Sequence, residues 1–379
     1  MIQRLAVAFE PVREAWVKPG GEPRIIRAIT YILLGFGLIA VFSASTVESL
    51  NTHGNAWYIF FKQFLFACAG VVAMMLSDRF SITAIRRMTR MGMVVALGML
   101  VAVLVIGTAV NGQKNWIPLG PFSLQPSEFA KLAVILYAAQ QASVVMRRTD
   151  DPMELFRTLL IPFGAVMVLI LAEKDMGNVL VLGGIMLAMM FAVGVPFRIL
   201  SGVTAGGLVA FVGYLFLGPS YRRDRILSWL DPYADPEGNG WQWIHGNYAL
   251  ALGGLFGQGP GASKEKWGAL PEAHTDFILA VVGEEYGFVG TLVTLLLLFA
   301  LIVLLIRVAM QTRDPFKRLT LVGIASWVLM QVLFNVGAVV GALPIVGVTL
   351  PLVSYGGSSL LPMLLGLGIA AQCTRTADK

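Results

Sequence analysis

The sequence predicts an all-α polytopic membrane protein of about ten transmembrane helices, with a large extracytoplasmic loop between helices 7 and 8. Three observations predict it. Of 379 residues, 57% are hydrophobic and only 13% charged, about half the charged share of a soluble domain. The apolar residues fall into ten runs, most near the ~20 residues a helix needs to cross the hydrocarbon core. The basic residues gather at one end of those runs, as the positive-inside rule describes. A soluble chain of this size has no way to bury so much apolar surface, and the composition equally excludes disorder.

In chain order the runs are 29–45, 57–76, 92–110, 127–145, 159–172, 177–194, 199–217, 277–309, 319–340 and 353–373. The fifth is short and the eighth long. Residues 1–28 read as a cytoplasmic segment, 29–373 as one bundle, and 374–379 as a cytoplasmic tail. No small-residue cleavage site follows the first run, which argues against a cleavable signal. With the N-terminus inside, 19 of the 28 Lys and Arg residues lie on the inner side and seven on the outer; Lys62 and Lys131 lie within runs. Both termini are therefore expected in the cytoplasm. Loop 218–275 is the one long connection, and long loops usually carry function. Its Trp229, Tyr233, Trp241, Trp243 and Trp267 predict interfacial half-helices packed over the bundle. No internal repeat is visible, which counts against inverted-repeat transporters.

Several classes drop out. Cys68 and Cys373 lie far apart, so there is no disulfide framework. Three histidines without an HExxH pair leave no zinc signature. The net charge of +6 follows from membrane orientation, so no nucleic-acid partner is expected. Gly257-Gln258-Gly259-Pro260-Gly261 lacks the strand and the Lys-Ser/Thr of a P-loop.

Charge at the edge of a membrane bundle marks function by default. In Gln125-Pro126-Ser127-Glu128-Phe129-Ala130-Lys131, Ser127 can cap the fourth helix, and Glu128 and Lys131 share a face. A helix N-terminus beside a lysine suits an anion such as phosphate; a capped start with a snorkelling lysine is the alternative. In Leu270-Pro271-Glu272-Ala273-His274-Thr275-Asp276, Asp276 is either a helix cap or a general base at a cavity mouth. The eighth run is about 50 Å long as a helix, more than the bilayer needs. Residues 276–287 are therefore expected to line a wet cavity, with Glu284 and Glu285 structural. Glu173-Lys174-Asp175 reads as a solvated corner. Arg222-Arg223-Asp224-Arg225 suits phosphate or lipid headgroups. Ser354-Tyr355-Gly356-Gly357-Ser358-Ser359 suits either close helix packing or a hydroxyl-lined wall. Lys62 is expected to snorkel.

Seven segments in this order carry a specific resemblance: 111–117 (Asn-Gly-Gln-Lys-Asn-Trp-Ile), 125–131, 221–232, 253–259, 270–278, 283–287 and 350–359. Across nearly the whole chain it resembles the SEDS family (shape, elongation, division and sporulation), membrane glycosyltransferases that polymerise peptidoglycan, and most closely its cell-division branch. The resemblance implies that Asp276 is the catalytic aspartate and that Glu128, Lys131 and Asp175 belong to the site. With them, Lys114, Arg222, Arg223, Ser358 and Ser359 are expected at the substrate. Asn115 with Lys114, Lys174-Asp175 and His245-Gly246-Asn247 depart from the family pattern. The implied substrate is lipid II, and the implied partners are a class B penicillin-binding protein transpeptidase and other divisome membrane proteins. The implied location is the bacterial cytoplasmic membrane at the division septum, with the active face outside. A divalent cation, Mg or Mn, is allowed as cofactor near Glu128 or Asp175. A lipid II flippase, an elongation-branch polymerase and a divisome scaffold are the alternatives.

Overall fold

A computed structural model describes residues 21–110, 112–120, 122–216 and 220–375, with residues 110, 215, 216, 220–223 and 225 described by backbone alone. The chain forms α1 (Glu22–His53), α2 (Tyr58–Ser77) and α3 (Ile82–Ile106), followed by three short strands. After β1 (Thr108–Val110), β2 (Gln113–Leu119) and β3 (Phe122–Leu124) come α4 (Pro126–Val145), α5 (Pro152–Ala172), α6 (Met176–Ala192) and α7 (Phe197–Phe216). The long connection holds α8 (Ser220–Leu230) and α9 (Trp241–Gly253); α10 (Ile278–Gln311), α11 (Pro315–Val339) and α12 (Gly357–Cys373) complete the bundle.

Seven of the described helices are long and apolar enough to cross a membrane, and α6 and α12 are shorter apolar helices of 17 residues. The 20-residue α4 is more polar, carrying Glu128, Lys131, Gln140 and Gln141. Its neighbours account for that: α4 packs between α3, α5 and α11, while α12 seats on α2 and α10 on α11. By contrast, only 6% of the apolar window of α7 is buried, as befits a helix whose surroundings are lipid.

The third run differs from its expected bounds. The helix begins at Ile82, where Ser81 accepts the Ala84 N–H at 3.2 Å, and stops at Ile106. Residues 108–110 are a strand paired antiparallel with β2, and β2 pairs with β3. Hydropathy finds apolar length; it does not register that Gly107 turns extended and that Thr108 and Trp116 face one another across a ladder. The mostly helical fold therefore carries a small sheet at one end.

The eighth run also differs. α10 is broken at Gly287, whose backbone (φ 68°, ψ −169°) is open only to glycine. Backbone groups freed by a break inside a membrane must find partners. They find them in the segment after α9: Gln258 and Gly259 donate to the Glu284 and Glu285 carbonyls, and Phe288 and Val289 donate to those of Gly254 and Leu255. The first stretch, 278–285, is buried throughout and does not line a wet cavity. It fits under the long connection, which covers it. Glu284 accepts from Ser263 Oγ at 2.5 Å and from Lys264 N at 2.7 Å; Glu285 accepts from Ser43 Oγ at 2.6 Å and from Lys266 Nζ at 2.9 Å.

Candidate functional site

The sheet, the long connection and the starts of α4, α6, α10 and α12 meet at one end of the bundle. Between them lies a cavity of about 910 Å³. Asp276, Glu128, Asp175, Ser358 and Ser359 all line it, so five residues from four distant stretches of sequence come together.

Asp276 sits in a turn held from several sides. Thr275 and Phe277 donate backbone N–H groups to the Glu272 carbonyl at 3.1 and 3.2 Å, and Thr275 Oγ1 donates to Glu272 Oε2 at 2.6 Å. His274 approaches Glu48 Oε2 with Nδ1 at 3.2 Å, and its carbonyl accepts Tyr355 N at 2.8 Å. Asn335, on α11, donates from Nδ2 to the carbonyls of Asp276 and Val348, each at 2.8 Å. Phe277 occupies the cap position of α10 without a side-chain hydrogen bond. Asp276, one residue before that cap position, is among the residues lining the cavity. At Gly347 (φ 73°) an added Cβ would lie 3.5 Å from Asp276 Oδ2, so this turn passes close beneath the carboxylate.

The α4 motif also differs from its reading. Gln125, not Ser127, is the cap residue of α4, and buried Ser127 accepts Asn178 Nδ2 at 3.1 Å. Lys131 does not snorkel. It is 0% exposed, donates to Glu128 Oε1 at 2.7 Å and Asn178 Oδ1 at 2.8 Å, and lies 5.4 Å from the Trp327 ring centroid. Glu128 lines the cavity and Lys131 stands behind it.

Asp175 is buried, so the corner it occupies is no solvated turn. It caps α6 through Asn178 N at 3.1 Å. Its Oδ2 accepts Asn115 Nδ2 at 3.1 Å, Gln125 Nε2 at 3.0 Å and Asn178 Nδ2 at 2.9 Å. Three elements thereby close around one carboxylate. Glu173, two residues earlier, is fully buried with no hydrogen-bond partner for either carboxylate oxygen among the described residues. Burial, reinforced by the Asp175 charge, pushes its carboxyl up to about 8.

Lys114 does not reach the cavity lining. Its Nζ donates to the Leu104 and Val105 carbonyls at 2.7 and 3.0 Å, at the C-terminal end of α3; a cation there meets the unsatisfied carbonyls of the last turn. Arg222 and Arg223 belong to α8, and their side chains lie outside the described residues. Lys62, expected to snorkel, lines the cavity, with Nζ 4.5 Å from the Tyr58 ring centroid. It is the only basic side chain among the described lining residues, against the carboxylates of Glu128, Asp175, Glu237, Glu272 and Asp276. No three His, Cys, Asp or Glu side chains gather to hold a metal among the described residues. These residues therefore form no ready cage for Mg or Mn.

Asn178, Gln331 and Asn335 were not singled out from sequence. The signal for the last two was present: Gln331 and Asn335 are amides one turn apart inside an apolar run, where polar side chains usually serve a site or bind a neighbouring element.

The sequence profile of the cell cycle protein family that groups FtsW, RodA and SpoVE matches residues 24–379. The probable peptidoglycan glycosyltransferase FtsW of Mycobacterium tuberculosis is 38% identical over 365 residues, covering 95% of this chain and 69% of its own length. Stage V sporulation protein E of Bacillus subtilis is 39% identical over 356 residues, covering 92% and 95%. Among solved structures, a chain of a peptidoglycan synthase complex superposes with a TM-score of 0.78 at 28% identity, covering 93% of this chain and 98% of that one. Thermus thermophilus RodA superposes at 0.67 with 27% identity, covering 93% and 97%.

Proposed function

Since the chain belongs to the SEDS family of FtsW, RodA and SpoVE cell cycle proteins, whose relatives are named peptidoglycan glycosyltransferases, we propose that it joins lipid II units into glycan strands at the outer face of the cytoplasmic membrane, with Asp276 as general base. One observation carries this reading. The Asp276 carboxylate lines a cavity of about 910 Å³ at the end of the bundle covered by the long connection, where a lipid-anchored substrate can present its headgroup.

The chemistry follows from that position. The 4-hydroxyl of the acceptor sugar gives its proton to Asp276 as its oxygen attacks the anomeric carbon of the donor. The carbon–oxygen bond to phosphate breaks, and undecaprenyl pyrophosphate departs with the electron pair. Lys62 faces the departing charge. The leaving pyrophosphate needs little protonation, so a second acid is not required. Asn335 and the Glu272 turn keep the base in place.

The division role rests on the relatives. The FtsW and the sporulation protein named above are 38% and 39% identical, against 27% for the superposed RodA, which supports the division and sporulation side of the family over the elongation side. A class B penicillin-binding protein is the proposed partner, in keeping with the synthase complex that contains the superposed chain. The charge census supports an orientation with both described ends of the bundle in the cytoplasm.

The test is purified protein with labelled lipid II, alone and with its transpeptidase. Long glycan strands are expected from wild type. Lipid II translocation in liposomes without any polymer would replace this reading with the flippase.

A further inference from the structure

The described lining of the cavity sets five carboxylates against one basic side chain, Lys62. Repulsion by the carboxylates and attraction by the ammonium both drive an anionic group toward Lys62, so the neighbours of Lys62 decide what else such a group meets.

Gln63, the next residue on α2, ties that flank of the cavity to the stretch before α12. It donates from Nε2 to the Ser354 carbonyl at 3.1 Å and accepts Gly356 N on Oε1 at 3.2 Å. Tyr355 is the residue between these two, and it lines the same cavity. Its backbone N–H donates to the His274 carbonyl at 2.8 Å, and its ring centroid lies 5.3 Å from that of His274. Tyr355 is therefore held from α2 on one side and from the turn that carries Asp276 on the other.

The phenol itself is uncommitted. Its hydroxyl has no hydrogen-bond partner among the described residues, and it keeps accessible surface, which the sealed, unpartnered side-chain atoms of Gln331 and Ser358 do not. Burial of the ring, with Tyr58 and Glu48 nearby, pushes the phenol up to about 12. The group therefore keeps its proton at neutral pH and is free to donate it in a hydrogen bond. Tyr58 also lies beneath Lys62, with Nζ 4.5 Å from its ring centroid, so ammonium and phenol border the same aromatic residue. A phosphoryl oxygen is a charged acceptor, and an ammonium beside a neutral O–H donor is the pair that suits it.

We propose that Tyr355 binds the diphosphate of the prenyl-linked substrate, its hydroxyl donating to a phosphoryl oxygen on the flank that Lys62 neutralises. This deepens the polymerase reading and rests on it for the identity of the leaving group. No proton changes hands. The phenol hydrogen-bonds an oxygen that gains charge as the carbon–oxygen bond breaks, so the contact strengthens along the reaction.

The test measures binding by the full-length protein in detergent, with undecaprenyl diphosphate and the uncharged alcohol undecaprenol as probes. Tyr355→Phe removes a single oxygen, and Lys62→Met removes the ammonium while keeping length. Each is expected to weaken undecaprenyl diphosphate about tenfold or more, the value of one hydrogen bond to a charged group. Undecaprenol should bind within about twofold of wild type, which also shows that the variant is folded. Undecaprenyl diphosphate bound as in wild type by Tyr355→Phe overturns the proposal, and a loss confined to lipid II moves the hydroxyl to the sugar. Equal weakening of both probes at a wild-type melting temperature overturns it in favour of a contact to the prenyl chain. A matching loss of phosphatidylglycerol binding overturns it in favour of a general lipid-headgroup contact. Binding does not need turnover: a wild type that holds undecaprenyl diphosphate through Tyr355 and Lys62 but makes no strands defeats the polymerase reading and leaves this one supported.

Discussion

Asn335 holds Asp276 by its backbone: one amide group donates to the Asp276 carbonyl and to the Val348 carbonyl, both at 2.8 Å. A residue of α11 thus locks the turn before α10 to the 346–349 segment on the cavity wall. Displacing a catalytic group by about 1 Å costs on the order of a hundredfold in rate. Asn335→Ala should lower the turnover of glycan synthesis by about 10–100-fold while changing lipid II affinity less than about threefold. Steady-state kinetics against lipid II concentration separate the two. A change confined to affinity would contradict a positioning role.

The Lys131–Glu128 pair is buried, with side-chain exposures of 0% and 6%. Removing one member strands the other charge, at a cost of about 3–5 kcal/mol. Lys131→Met should therefore lower the melting temperature sharply, and Lys131→Met with Glu128→Leu should recover most of it. The double variant should stay inactive, because Glu128 lines the cavity. Thermal unfolding in detergent, followed by the polymerisation assay, checks both halves.

Glu173 gives a pH dependence with a definite sign. Its carboxyl is raised from an ordinary 4.5 to about 8 by burial and by Asp175. The folded protein keeps this proton where the unfolded chain has released it. The associated stability is full below about 4.5 and is lost as the pH rises to about 8. Glu173→Gln should flatten the melting temperature across this window. The variant should melt above wild type at about pH 8.5 and level with it at about pH 4.5. A variant that melts lower at the alkaline end contradicts the assignment.

Gly287 tolerates no side chain. A Cβ there would sit 2.4 Å from Gly257 N and 2.5 Å from Leu255 O, on a backbone only glycine adopts. Gly287→Ala should cost about 3 kcal/mol or more, read as loss of folded protein in detergent. Because the segment after α9 stitches this break, proteolysis of the long connection should accelerate in the same variant.

Much of this architecture was legible in the sequence, for a physical reason. A helix crossing hydrocarbon must be apolar for its whole length, so runs of that length announce themselves. The acidic and polar residues at the loop ends stood out against that background, and Asp276, Glu128, Asp175, Ser358 and Ser359 do meet around one cavity. What stayed hidden depends on tertiary pairing. β1 falls at the end of the third apolar run, β2 and β3 fall in the connection after it, and the break at Gly287 reads as one overlong helix. Lys62 and Lys131 are both lysines within runs, and pattern cannot say which is walled in. Lys131 is enclosed by Glu128, Asn178 and Trp327, whereas Lys62 opens to the cavity. Lys114, one residue from Asn115 in sequence, points to the end of α3 because alternate residues of β2 face opposite ways.

The central claim is that the Asp276 carboxylate takes a proton in the transition state. Asp276→Asn keeps its size and removes that capacity, so the most direct measurement pairs lipid II binding with strand synthesis in this one variant. The account predicts binding within about threefold of wild type and synthesis reduced by at least about a hundredfold. Strand synthesis by Asp276→Asn at the wild-type rate would contradict it.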